Sequence, residues 1–291
     1  MRLGGVAVGP QAIAEIGPFC EAADAYGISA IVAPKSIATM SVDAASAFGE
    51  AAAAAGLVIG ETGFWENLIT QDAALRQDRL TRLRQVIVNA EAMGCRSVAI
   101  LSGTRHPSDK AFAAHPYMFS EDCKNEVRDV VLAALDGLQL DRTRLGLEPY
   151  AHSFFYGPEA VRAFIDRVDH PRFGVHLDQA NMVAPQDFFA TGPLIEKTFA
   201  LLRPYIVSVH LKDLAWPVSP LGLRWEEVDL GDGHMDFDTY FRHVAALDED
   251  MTCFCEHFAT EADYSRNFAH AHTLAARAGH DFKQRLSASD A

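Results

Sequence analysis

Short apolar or β-branched runs alternate with longer amphipathic stretches from one end of the chain to the other. Eight runs have the length and alternation of strands: Leu3–Val8, Ile28–Ala33, Leu57–Thr62, Ser97–Ser102, Leu145–Pro149, Phe173–Asp178, Ile206–Lys212 and Thr252–His257. Each is followed by a helical pattern, over Gln11–Tyr26, Val42–Ala55, Gln71–Met93, Ser120–Leu138, Pro158–Val168, Pro193–Leu202, Phe237–Leu247 and Glu261–Ala278. Gly56, Gly94 and Gly279 stand where a helix C-terminus favours glycine, and Pro158 and Pro193 near helix starts, where proline costs least. A strand–helix rhythm of this kind predicts an α/β fold with a parallel sheet, closed as a single (β/α)8 TIM barrel; an open doubly wound sheet is the alternative.

The connections are asymmetric. Long ones follow strands: residues 103–119 hold Arg105, His106 and His115, and residues 214–236 hold Arg224 and Trp225. Those that follow helices are short, so chain length is concentrated on the face where such barrels bind substrates. With no repeat, low-complexity tract or composition break, residues 1–283 read as one domain and 284–291 as a flexible C-terminal tail.

Strand parity locates the chemistry. Four consecutive strands end in a polar tip, and in each the alternation puts the tip on the face opposite the apolar or cysteine residues that flank it. Glu148 goes with Gly146, Asp178 with His176, His210 with Ser208 and Glu256 with Phe254. Leu145, Leu147, Val175, Leu177, Val207, Val209, Leu211, Cys253 and Cys255 are thereby assigned to the helix-facing side. Three carboxylates and one imidazole converging inside a barrel repel one another unless protonated or neutralised by a cation. Oxygen donors with one histidine suit Mn²⁺ first, and Mg²⁺, Co²⁺ or Zn²⁺ as well, with open positions for substrate oxygens.

Composition narrows the partners. With 25 basic and 39 acidic residues the formal charge is −14, which repels polyanions, so nucleic acid is not an expected partner. A 49% apolar fraction with 22% charged residues is that of a globular protein with a large core. Five scattered cysteines without a CxxC pair point to reduced structural thiols. No secretory layout opens the chain and no stretch is long and apolar enough for a membrane helix, so a cytoplasmic location is expected.

Several motifs carry a resemblance: Leu147-Glu148-Pro149, Gly174-Val175-His176-Leu177-Asp178, Val209-His210-Leu211-Lys212-Asp213, the turn from Gly231 to Phe237, and Cys255-Glu256-His257. Together they resemble the xylose isomerase-like TIM barrels, the sugar phosphate isomerase/epimerase superfamily, over nearly the whole chain. The resemblance implies that Glu148, Asp178, His210 and Glu256 bind a divalent metal. It further implies that Glu148 and Glu256 move a proton on opposite sides of a bound ketose. The expected activity is isomerisation or epimerisation through an enediolate. A lyase or dehydratase acting on a keto-sugar, keto-inositol or 3-keto-glycoside would use the same groups. The other classes considered are an endonuclease IV-like repair nuclease and a non-catalytic carbohydrate-binding barrel. Where many relatives carry histidine three residues after the strand-six aspartate, this chain has Asn181, which weakens the nuclease reading.

Lys212, His152, Trp65 and Arg105 join Asn181 as expected substrate-binding groups. His270 and His272 are assigned to solvated surface. The expected partner is a small carbohydrate, with homo-oligomerisation left open.

Overall fold

The computed structural model describes residues 1–220 and 222–285. Eight parallel strands surround the barrel axis: β1 Arg2–Gly5, β2 Ala30–Val32, β3 Val58–Phe64, β4 Ser97–Ile100, β5 Arg144–Leu147, β6 Phe173–Asp178, β7 Ile206–Leu211 and β8 Thr252–Cys255. The ladder runs β1-β8-β7-β6-β5-β4-β3-β2, and the barrel closes where Ser29, just before β2, donates its N–H to Leu3 O of β1 at 3.0 Å. The helices α1 Ile13–Tyr26, α2 Val42–Ala54, α3 Ala73–Met93, α4 Glu121–Leu135, α5 Pro158–Val168, α6 Thr191–Leu202, α7 Phe237–Val244 and α8 Glu261–Arg277 cover the outside. The expected TIM barrel is the fold.

The core lies mainly between strands and helices, where Val98, Leu145, Val175, Leu177 and Val209 meet helix residues such as Leu83, Val86, Phe164 and Phe199. Most strands are shorter than the sequence suggested, so Glu148 and Glu256 each sit one residue beyond a strand end, at the rim.

Two register shifts break the alternation. Ile31 pairs with Ile59 and Val32 with Glu61, which leaves Gly60 as a bulge in β3. In β7, Val175 pairs with Ile206 and His176 with Ser208, which leaves Val207 as the extra residue. Val207 therefore turns inward: a Cβ added to Gly146 would lie 2.6 Å from its Cγ2, and one added to Gly174 would lie 2.8 Å from its Cγ1. This corrects its assignment to the helix side, because a bulge resets side-chain parity.

Residues 214–236 fold as antiparallel pairs, Asp213–Ala215 with Glu226–Val228 and Val218–Ser219 with Gly222–Leu223. One carboxylate fixes their base. Asp213 accepts N–H groups from Leu214, Gly231, Gly233 and Met235 at 2.8–3.1 Å. Trp216 stacks on Phe188 with ring centroids 3.7 Å apart and donates to its carbonyl at 2.9 Å, which ties this segment to the loop after β6.

Arg285 Nε donates to Asp24 at 2.8 Å. Residues 286–291 lie outside the described residues. His272 is half-buried rather than solvated: its Nε2 lies 3.1 Å from Gly27 O, and its ring meets Phe282 edge-on at 5.4 Å.

Candidate metal and acid–base centre

The parity argument brings four side chains to one place. Glu148, Asp178, His210 and Glu256, from β5 to β8, are all buried and offer ligand atoms within 4.8 Å of one another. His210 Nδ1 is 3.0 Å from Glu256 Oε1, and Lys212 Nζ lies 2.7 Å from both Glu256 Oε1 and Asp178 Oδ2. Asn181 closes the other side, donating from Nδ2 to Glu148 Oε1 at 3.0 Å and from its backbone N–H to Asp178 Oδ1 at 3.2 Å.

These groups carry unequal charge. Burial and the neighbouring Glu256 push the Glu148 carboxyl well above its ordinary value. Burial also raises Asp178, against the pull of Lys212. Glu256 goes the other way: burial opposes its ionisation, but His210 and Lys212 hold it well below the usual carboxylate range. Burial works against a charged His210, yet Glu256 and Glu61 raise it well above the usual imidazole value. His176, buried next to His210, is pushed down to about 4 and is neutral.

Asp178 Oδ2, His210 Nδ1 and Glu256 Oε1 are buried without a hydrogen bond of normal geometry, and their near neighbours are one another and the Lys212 ammonium. Carboxylates buried together repel one another unless a cation neutralises them, a part the Lys212 ammonium plays here. Carboxylate and imidazole donors converging on one point fit a hard or borderline divalent cation.

Of the remaining expected site residues, Lys212 and Asn181 belong to this cluster, whereas three are engaged elsewhere. His152 Nε2 lies 2.7 Å from Phe112 O. Arg105 is paired with Glu126 at 2.7 Å and lies over the Tyr117 ring at 4.8 Å, which ties the loop after β4 to α4. Trp65 is 48% exposed and folds back over Gly63.

Two parts of the site were not anticipated. Glu61 of β3 accepts from His210 Nε2 at 2.9 Å, and His176, its Nδ1 beside Ser208 Oγ, packs edge-on to His210 with centroids 4.1 Å apart. His257, in the left-handed region at φ 64°, turns back so that its Nδ1 lies 2.8 Å from Glu227 Oε2 and its Nε2 3.5 Å from Glu256 Oε2. The inward parity of β3 would have revealed Glu61 only if the bulge at Gly60 had been known. Glu227 comes from a distant hairpin, which gave no local signal.

The family model described as "Xylose isomerase-like TIM barrel" matches residues 20–279. The chain belongs to the xylose isomerase-like TIM-barrel family. Among curated proteins it is similar to the 3-oxo-isoapionate decarboxylase of Pectobacterium atrosepticum, 24% identical over 147 residues. That match takes in 48% of this chain and 50% of the relative, so the similarity spans about half the length of each. Among solved structures, a xylose isomerase-like TIM-barrel protein from Mycobacterium smegmatis in complex with magnesium superposes with a TM-score of 0.64 at 18% identity, covering 93% of this chain and 90% of that one. The 3-keto-D-glucoside 4-epimerase of E. coli gives 0.64 at 17% identity, covering 94% and 98%. At such identities the structures speak for the shared fold. Among the described residues no helix is long and apolar enough to cross a membrane.

Proposed function

We propose that this protein is a divalent-metal-dependent enzyme that moves a proton next to the carbonyl of a sugar or sugar derivative, as an isomerase or epimerase. The observation that carries the reading is the convergence of Glu148, Asp178, His210 and Glu256 from four consecutive strands, all buried and with ligand atoms within 4.8 Å of one another. These four residues would hold the metal, Mn²⁺ being our first choice among Mn²⁺, Mg²⁺, Co²⁺ and Zn²⁺. When bound, such an ion polarises a substrate carbonyl and stabilises an enediolate.

The chain's own groups supply the rest. Glu148 and Glu256 act as the base and acid pair, one taking the proton from the carbon next to the carbonyl and the other returning one, with the direction set by the substrate. Asn181 orients Glu148 through its 3.0 Å bond. Lys212, freed from one of its three carboxylate contacts, offers a cation to a substrate oxyanion. His152, Trp65 and Arg105 remain proposed contacts to the outer part of the substrate; each would first have to leave its present partner or position.

A second reading is favoured by the partial match to a decarboxylase. If the enediolate forms next to a leaving group, its electron pair expels that group. If a carboxylate is lost instead, the C–C bond electrons enter the enolate and a proton then adds. One experiment separates these outcomes: the metal-loaded enzyme is incubated in D₂O with a panel of ketoses, keto-glycosides and keto-acids and followed by NMR. Deuterium uptake with the carbon skeleton and hydroxyls retained supports isomerisation, and loss of water, aglycone or CO₂ supports the lyase. Full activity after exhaustive chelation, or in E148Q/E256Q, would overturn both.

A further inference from the structure

We infer that Glu61 is a positioning residue that aims His210 at the metal, and that a one-residue bulge at Gly60 exists to deliver it. The inference rests on the metal-site reading above and deepens it. His210 presents two nitrogens to two carboxylates: Nε2 lies 2.9 Å from Glu61 Oε1, and Nδ1 lies 3.0 Å from Glu256 Oε1 within the cluster of candidate ligand atoms. An acceptor on Nε2 keeps the proton there and leaves Nδ1 as the donor atom for a cation. It also locks the ring plane and raises the basicity of the ligating nitrogen.

Both members of the pair reach the barrel interior by way of a register shift. Gly60 faces inward, since a Cβ on it would lie 2.6 Å from Phe254 Cε2 and from Thr252 Oγ1. Strict alternation would then turn Glu61 outward to the helices. The bulge lets two successive residues face the axis, and pairing with β4 resumes at Glu61 opposite Ser97. In β7, Val207 faces inward, so strict alternation would place His210 outward as well; the shift after Val207 returns Ser208 and His210 to the interior. Bulges re-aim side chains in this way beside active sites.

A purely structural role explains this poorly. Burying a carboxylate against an imidazole generally adds little stability over an apolar pair, and Glu61 Oε2 makes no hydrogen bond; the neutral His176 Nδ1 lies 3.6 Å from it. That His176 ring, held by Ser208 and lying edge-on to His210, leaves His210 little freedom to rotate.

The test compares wild type, E61Q and E61A by Co²⁺ titration, read from visible absorption, and by proton NMR of the metal-free protein. Wild type is expected to show a downfield, slowly exchanging Nε2–H signal that disappears in E61A. Co²⁺ affinity should fall by about 10- to 100-fold in E61A. E61Q, which keeps an uncharged acceptor of the same shape, should recover part of it, ending about three- to tenfold below wild type. Wild-type affinity in a folded E61A would overturn the inference. Should E61A not fold, E61Q carries the test, and unchanged affinity there overturns it equally. If wild type itself binds no metal, the proposed function fails; the downfield signal and its loss on substitution then decide the Glu61–His210 pairing separately.

Discussion

Removing the carboxylate of Asp213 should loosen the whole segment that roofs the candidate site. Four backbone donors converge on it; those of Leu214 and Met235 are buried, and those of Gly231 and Gly233 are part-buried. Burial pushes the Asp213 carboxyl above its ordinary value against the pull of these donors, so the charge itself is held at a cost. An orphaned buried donor costs about 1–3 kcal/mol, whereas a part-buried one recovers water. In D213A the two buried donors therefore set the loss at about 4 kcal/mol. D213N keeps one oxygen, which can still serve Leu214 and Met235, and sheds the buried charge, so about 2 kcal/mol is expected. For a domain of this size D213A should lower Tm by on the order of 10 °C. Guanidinium unfolding followed by tryptophan fluorescence and circular dichroism measures both variants. A D213A protein within about 1 kcal/mol of wild type, or a D213N protein less stable than D213A, would refute the reasoning.

Gly60→Ala places a methyl 2.6 Å from Phe254 and Thr252 inside the barrel and should cost about 1–3 kcal/mol by overpacking, measurable by denaturant unfolding; a neutral effect would mean that the bulge is not where we place it. Lys212→Met removes a cation 2.7 Å from two ligand carboxylates, so Mn²⁺ should bind at least about tenfold more tightly by calorimetry while turnover falls. Weaker binding would contradict the electrostatic account. Glu91 accepts the N–H groups of Asp141, Arg142 and Thr143 at 2.7–3.3 Å; burial tends to raise its carboxyl, but these donors hold it below its ordinary value. Its contribution is therefore complete above about pH 4.3 and is lost as pH falls through the lower folded-state value. Wild type should thus be more stable than E91Q at pH 7, with the two curves converging in acid; a gap independent of pH would count against the assignment.

The sequence determined the barrel, because eight apolar runs alternating with amphipathic helices leave few other ways to bury both faces of a parallel sheet. It also pointed to the four converging side chains, since strand parity and position at a strand end are local properties of Glu148, Asp178, His210 and Glu256. Asn181 and Lys212 were legible for the same reason, being within a few residues of Asp178 and His210. His152, Trp65 and Arg105 were chosen for nearness in sequence to the rim, but loops carry no fixed parity, and packing sent them to Phe112, Gly63 and Glu126.

Tertiary structure alone decided the register shifts at Gly60 and Val207. A bulge is a property of two paired strands, not of the alternation along one, so Glu61 stayed hidden and Val207 was assigned to the wrong face. The same holds for Glu227, which reaches His257 and Lys212 only because Asp213 gathers four distant N–H groups and folds the hairpin over the rim.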